Sequence, residues 1–482
     1  MNKYSSLKEV QSKLGHSETT VSEVVDYFLD CISSKNDEIN AFVEVYTKSA
    51  KEKAIEVDQK LKEGKAGKLA GLIISIKDNI CYKGRGLSAS SKMLEKFESL
   101  YSATVVERLL EEDAVIIGRT NCDEFAMGSS NETSYYGAVK NPLNTQKVAG
   151  GSSGGAAAAV VAGFCMASLG SDTGGSIRQP ASFTGLVGLK PTYGRVSRHG
   201  LIAFGSSFDQ IGTFTNDVED AALIMEVISG KDEFDSTLSQ LEVPAYCELL
   251  DNSSSKTLKI AYFDCYVEHE GIDDDVRKRT LEVIENLKAD GHQVDKIPFD
   301  YLDQMVPTYY VLTTAEASSN LARYDGIHFG YRSEQATDLE STYVLSRSEG
   351  FGKEVKRRIM LGTYVLSAGY YDAYYTKAQK VRRIVQEKTN DVLKEYDFII
   401  SPTSPHTAFD LNAQTNDQIK MYLEDIFTVQ ANLCGIPAIS LPLGVSKEKM
   451  PFGIQLMGKA FDEANLLSFS KVLMNKFVFK KD

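Results

Sequence analysis

The stretch KVAGGSSGGAAAAV, residues 147–160, sets four glycines around two serines and then turns at once to alanine and valine. Gly/Ser runs ordinarily make flexible linkers, yet four consecutive alanines are strong helix formers. The segment is therefore a tether, a phosphate cradle, or a loop that holds Ser152 or Ser153 for chemistry. A P-loop needs a lysine directly after its last glycine, and alanines follow Gly155 instead. G-x-G-x-x-G is also missing. GGSSGG fits the G-x-S-x-G elbow with Ser153 at its centre, but the preceding NPLNTQKVAG is not the apolar strand that elbow requires.

Outward from this loop, strand-like and helix-like segments alternate. LAGLIISIKD (69–78), AVIIG and FCMASLG read as buried strands, with helical ATVVERLLEED and residues 153–163 between them. LKIAYF, HQVDKIPF, YDFIISPTSP, PAISLPLGV and PFGIQLMG continue the strands. Such alternation predicts an α/β fold whose parallel or mixed sheet is covered by helices on both sides. About 1–65 reads as helical. There Val21, Val24, Val25, Phe28 and Leu29 share one face behind an N-cap at Thr19 or Thr20. Residues 301–394 read as a helical elaboration, and 66–230 as the motif-bearing core. No Pro/Gly/Ser linker divides the chain, so 1–482 is expected to form one domain.

A second glycine–serine cluster, SLGSDTGGSIRQP (168–180), follows the first. Adjacent glycines let several backbone N–H groups point at one spot, the geometry an oxyanion needs. A nucleophilic serine also needs a base. His199 is the histidine nearest in sequence; it lies in neither loop but is close enough along the chain to reach one in space, so it stays open as a base. Lys77 ends an apolar strand, where burial disfavours its charged form and prepares it to accept a proton.

Together, the strand ending Lys77-Asp78-Asn79, the GGSSGG loop and SDTGGSIRQP resemble the amidase signature family. That resemblance implies an α/β amidase-signature fold, with a central mixed β-sheet covered by helices on both faces. It also implies a Ser–Ser–Lys triad: Ser176 as nucleophile, Ser152 as proton relay at a cis peptide bond, and Lys77 as base. The N–H groups of Thr173, Gly174, Gly175 and Ser176 become the oxyanion donors. Ser153 becomes a supporting hydroxyl and helix cap, and Asp172 and Arg178 brace the loop.

Three less generic stretches, NCDEFAMGSSNETSYYGAVKNP (121–142), GFGKEVKRRIMLGTYVLSAGYYDAYYTKAQKVR (350–382) and MYLEDIFTVQANLCGIPAISLP (421–442), resemble the family's glutamine-hydrolysing subunits of tRNA-dependent amidotransferases. On that likeness Arg358 holds the glutamine carboxylate and Asp425 its ammonium, while Ser129 and Tyr309 line the pocket. Arg357 and Tyr310 are the one-residue alternatives. The likeness further implies a heterotrimer with B and C subunits, tRNA held mainly by the B subunit, and ATP and Mg²⁺ at the partner rather than in this chain. A stand-alone amidase acting on another amide is the alternative. A non-catalytic scaffold is disfavoured, because Lys77, Ser152 and Ser176 are all present.

Composition agrees with a chain that leaves nucleic acid to others. Of 482 residues 43% are hydrophobic and 25% charged, and the formal net charge is −13. Gripping phosphates takes concentrated lysine and arginine. No apolar run nears the roughly 20 residues of a membrane span, and MNKYSSLKEVQ lacks a signal-peptide core, so a cytoplasmic location is expected. Seven scattered cysteines and six isolated histidines give neither a disulfide framework nor a metal-ligand spacing.

Overall fold

The computed structural model describes residues 3–252, 256–413 and 418–477. Its strands are β1 (Phe42–Val45), β2 (Ile73–Lys77), β3 (Val115–Thr120), β4 (Lys140–Asn141), β5 (Asn144–Val148), β6 (Ala167–Asp172), β7 (Val187–Lys190), β8 (Gln210–Thr215), β9 (Lys259–Phe263), β10 (Gln293–Ile297), β11 (Phe398–Pro402), β12 (Ala438–Val445) and β13 (Pro451–Met457). Eleven of them form one sheet in the order β1-β3-β2-β6-β8-β7-β12-β13-β11-β9-β10, while β4 and β5 make a separate ribbon. The sheet is mixed. The β3-β2-β6 and β11-β9-β10 groups run parallel, and the strands between and at the β1 edge pair antiparallel.

Alternate side chains along a strand point to opposite faces, and here both faces are buried. Ile260, Ile400, Ile439 and Leu456 join one core cluster, whereas their neighbours Ala261, Ile399, Ala438 and Met457 join another. The first cluster lies under the N-terminal helices, the helix Gly154–Val161 and the helix Val218–Ile228. The second lies under the helices Leu302–Asn320 and Lys377–Glu395. Strands covered on both sides read as continuous apolar runs, which is why LIISIK and AVIIG were legible.

Two local differences from the sequence reading have simple causes. The N-terminal segment is not wholly helical, since β1 sits between the helices Val21–Ile39 and Thr47–Lys62 and pairs with β3 at the sheet edge. Four residues are too few to show a period. Thr20 caps the helix Val21–Ile39 through a capping box with Glu23, and Tyr4 and Thr19 share a hydrogen bond of 3.2 Å nearby. From 301 to 394 the regular elements are helices and short helical turns. No helix among the described residues is long and apolar enough to cross a membrane.

The topology positions the chemistry. β2 and β6 are parallel neighbours, with Ile76 opposite Leu169. Their C-terminal ends therefore open on the same edge of the sheet and set Lys77 beside Ser171 and Asp172. The helix Gly154–Val161, with Ala156–Ala159 fully buried, packs against this part of the sheet. Alanine side chains permit that close approach. The GGSS turn at its N-terminus is thereby delivered to the same edge.

Candidate active site

Lys77 is fully buried, and its Nζ touches three hydroxyl oxygens: Ser152 at 2.8 Å, Ser153 at 2.9 Å and Ser171 at 2.9 Å. Burial pushes the amine from 10.5 down to about 8, against the opposing pull of the Cys122, Asp123, Asp172 and Asp209 groups. Three donors of an ammonium meet three acceptors here, so the cage also suits the protonated form. Asn79 Nδ2 donates to Ser171 Oγ at 2.9 Å.

The Gly151–Ser152 peptide bond is cis. Gly151 has no room for a side chain, because a Cβ there would strike the Asp123 carboxylate and, at 2.6 Å, the Ser130 nitrogen. Ser153 occupies the N-cap position of its helix but makes no side-chain cap bond. Its hydroxyl accepts from Lys77 and donates to the Ser171 carbonyl at 3.1 Å. The expected capping role is thus corrected: buried beside an amine, the hydroxyl is taken up by Lys77 rather than by the helix.

Ser176 lies on the loop that leaves β6. Among the described residues the N–H groups of Gly174, Gly175 and Ser176 have no acceptor, and the Ser176 hydroxyl makes no hydrogen bond. The next N–H, that of Ile177, goes to Asp172 Oδ2 at 3.2 Å. Thr173 Oγ1 donates to Asp209 at 2.6 Å, and Thr428 Oγ1 donates to the Gly174 carbonyl at 2.6 Å. Gly175 has φ +149, and a Cβ on it would run into Thr428. Arg178 locks the loop from beneath. It bonds both Asp172 oxygens (3.0 and 3.1 Å), the Thr428 carbonyl (2.9 Å), Gln455 (3.1 Å) and Asn432 (2.6 Å). Burial alone would raise the Asp172 carboxyl, but Arg178 outweighs it and holds the group below the ordinary value.

A cavity of about 310 Å³, at the small end of ligand pockets, is lined by residues that include Ser129, Glu354, Arg357, Arg358 and Met421; of the expected pocket residues Ser129 and Arg358 line it, whereas Tyr309, Asp425 and the Ser176 loop do not. Arg358 is 2% exposed. Its Nε donates to Glu354 Oε1 at 2.9 Å, and its centre stands 5.2 Å from the Tyr310 ring and 5.6 Å from the Tyr422 ring. Its two terminal nitrogens bond nothing among the described residues, which leaves a forked edge for a carboxylate. Arg357, on the more open side of the helix Lys353–Leu366, pairs with the other Glu354 oxygen. Asp425 accepts from Ser129 Oγ at 3.2 Å and from Tyr310 OH at 3.3 Å. Burial pushes its carboxyl up to about 7, against the pull of Arg358.

The two tyrosines divide the work. Tyr309 lies over the glycine loop, where a Cβ on Gly174 would meet its Cζ at 2.5 Å. Tyr310 instead reaches Asp425 and stacks on Tyr422 at 4.0 Å. Sequence reasoning missed Tyr422 and Glu354 altogether. Glu354 was visible as an acid one helical turn before Arg358, a spacing that pairs side chains.

A serine pair on a fully buried lysine, and a separate serine on a loop whose amides are free among the described residues, are the features from which the class is read. The amidase family model matches residues 23–467, and the chain belongs to that family. The A subunit of glutamyl-tRNA(Gln) amidotransferase from Fusobacterium nucleatum subsp. nucleatum is 52% identical over 97% of this chain and 96% of its own length. Its counterpart from Chlorobium limicola is 48% identical over 98% and 99%. The crystal structure of the Thermotoga maritima counterpart superimposes with a TM-score of 0.79 at 39% identity, covering 96% of this chain and 93% of the other. A bacterial aryl acylamidase of the amidase signature family shares the fold, with a TM-score of 0.86 at 21% identity.

Proposed function

We propose that the chain is the glutamine-hydrolysing A subunit of a tRNA-dependent amidotransferase, releasing ammonia through a Ser–Ser–Lys triad. The observation that carries the reading is the fully buried Lys77 amine, pushed down to about 8 and held 2.8 Å from Ser152 Oγ. Full-length relatives of about half-identical sequence are A subunits of glutamyl-tRNA(Gln) amidotransferase, which supports the amidotransferase reading.

In this reading Arg358 takes the glutamine carboxylate on its open edge, Asp425 takes the ammonium, and Ser129 and Tyr310 hold Asp425 in place. Tyr309 closes the pocket over the glycine loop. Ser176 Oγ attacks the side-chain amide carbon and gives its proton to Ser152, which passes its own to Lys77. The oxyanion that forms lies against the N–H groups of Thr173, Gly174, Gly175 and Ser176, donors that need no rearrangement as charge develops. The proton returns through Ser152 to the leaving nitrogen, and ammonia departs. Water then attacks the glutamyl ester by the same relay and releases glutamate.

The B and C subunits complete the assembly in this reading, in the cytoplasm. The B subunit holds the tRNA, and ATP and Mg²⁺ serve the amidation at the partner. The acidic balance of this chain supports leaving the tRNA to a partner. Replacing Ser176 by Ala abolishes glutamine-dependent ammonia release in the folded protein; retention of the native rate would overturn the mechanism. Release of ammonia from an unrelated amide in preference to glutamine would favour a stand-alone amidase.

A further inference from the structure

We propose that Gln179 is the positioning residue that sets the nucleophile loop, the relay loop and the glutamine pocket in register, each end of its side chain governing a different step. The inference rests on the roles given above to Ser176, Ser152 and Ser129. Gln179 is fully buried on the short helix Arg178–Thr184, three residues past Ser176. It makes one contact to each of the three segments. Its backbone N–H donates to the Gly175 carbonyl at 2.8 Å, directly before Ser176. Its Oε1 accepts from the Gly151 N–H at 3.0 Å, directly before Ser152. Its Nε2 donates to the Ser129 carbonyl at 2.9 Å.

The packing around the amide leaves little alternative. A Cβ on Gly150 would meet Gln179 Oε1 at 2.6 Å and Pro180 Cα at 2.8 Å. Gly150 also has φ +85, a left-handed conformation suited to glycine. The relay loop is thus drawn tightly onto the amide oxygen while the amide nitrogen holds the Ser129 loop on the other side. A buried amide whose two ends face a donor and an acceptor has a single satisfied orientation. No other polar group takes over either bond, since Gly151 N–H and Ser129 C=O have Gln179 as their partner among the described residues.

The two ends make separable predictions. Labelling of Ser176 by a fluorophosphonate reports nucleophile and relay without the glutamine pocket, and KM for glutamine reports the pocket. Gln179→Glu keeps an acceptor for Gly151 N–H but, once ionised, sets an oxygen against the Ser129 carbonyl. At pH 9 it raises KM about tenfold, as expected when a buried hydrogen bond is replaced by repulsion, and leaves the labelling rate within about twofold of native. Lowering the pH protonates that carboxyl, restores a donor and shrinks the KM defect. Gln179→Met removes both ends and slows labelling by about tenfold or more, in keeping with the steep cost of small misplacements at a reacting centre.

Equal changes in labelling and KM for Gln179→Glu would overturn the proposal, as would native values of both in both variants. If Gln179→Met does not fold, the pH-dependent split in Gln179→Glu still decides. Failure of the triad itself is told apart by native enzyme: fluorophosphonate that labels no Ser176 refutes the function, not the role of Gln179.

Discussion

Raising the pH at saturating glutamine titrates Lys77 in place. Burial among Ser152, Ser153 and Ser171 pushes its amine from 10.5 down to about 8. A base works unprotonated, so kcat rises with pH and levels off above that value. With a midpoint near 8, about one molecule in ten holds neutral Lys77 at pH 7, about half at pH 8 and about nine in ten at pH 9. kcat therefore grows about fivefold from pH 7 to 8 and less than about twofold from 8 to 9. The assay is initial ammonia release from glutamine, in buffers of constant ionic strength across pH 6–10, with glutamine well above KM so that bound ammonium keeps Asp425 ionised. The same shift acts on folding. Between about 8 and 10.5 the unfolded chain binds more protons at this site than the folded one, so stability rises with pH over that window. A kcat that is flat from pH 6 to 9 refutes the assignment. So does a plateau reached by about pH 7, as an ordinary histidine base would give.

Other perturbations follow from the pocket and the brace. Arg358→Lys loses the forked edge and raises KM for glutamine by about ten- to a hundredfold, while Arg357→Lys changes it by less than about threefold; steady-state kinetics separates the two. The Asp425 carboxyl, pushed up to about 7 by burial, must ionise to hold an ammonium, so kcat/KM falls more steeply than kcat as the pH drops below 7. Raised above its unfolded value of 3.8, the same group costs stability as pH rises from about 4 to 7, and Asp425→Asn relieves that loss in urea titrations. Arg178→Met strands Asp172 as an unpaired buried carboxylate and lowers stability by about 3–5 kcal/mol, read from the urea midpoint.

How much of this was legible in the sequence varies with the distance over which each part is assembled. Lys77 stood out because a charged residue ends an apolar strand, a local feature. The glycine loops stood out by composition. Strands β7 and β8 escaped notice because each carries a glycine demanded by its neighbours: a Cβ on Gly188 would meet Ala181 at 2.5 Å, and one on Gly212 would strike the Leu189 carbonyl. Glycine weakens the apolar pattern from which strands are read.

The proposed glutamine pocket came from family likeness alone. Ser129, Tyr309 with Tyr310 as its alternative, Arg358 and Asp425 come from four separate segments, and no periodicity links them. Gln179 gave no signal beyond its place in SIRQP, since its side-chain partners lie 28 and 50 residues upstream. Ser152 and Ser153, adjacent and alike in sequence, are parted by geometry: both reach Lys77, but Ser153 spends its proton on the Ser171 carbonyl.

The central claim is that Ser176 carries the glutamyl group. Rapid acid quench of the enzyme during turnover of isotope-labelled glutamine, followed by peptide mass analysis, locates the acyl group. The account predicts a labelled glutamyl ester on the peptide containing Ser176, absent from Ser176→Ala. Steady ammonia release with the label on another residue, or with no covalent label at all, would contradict it.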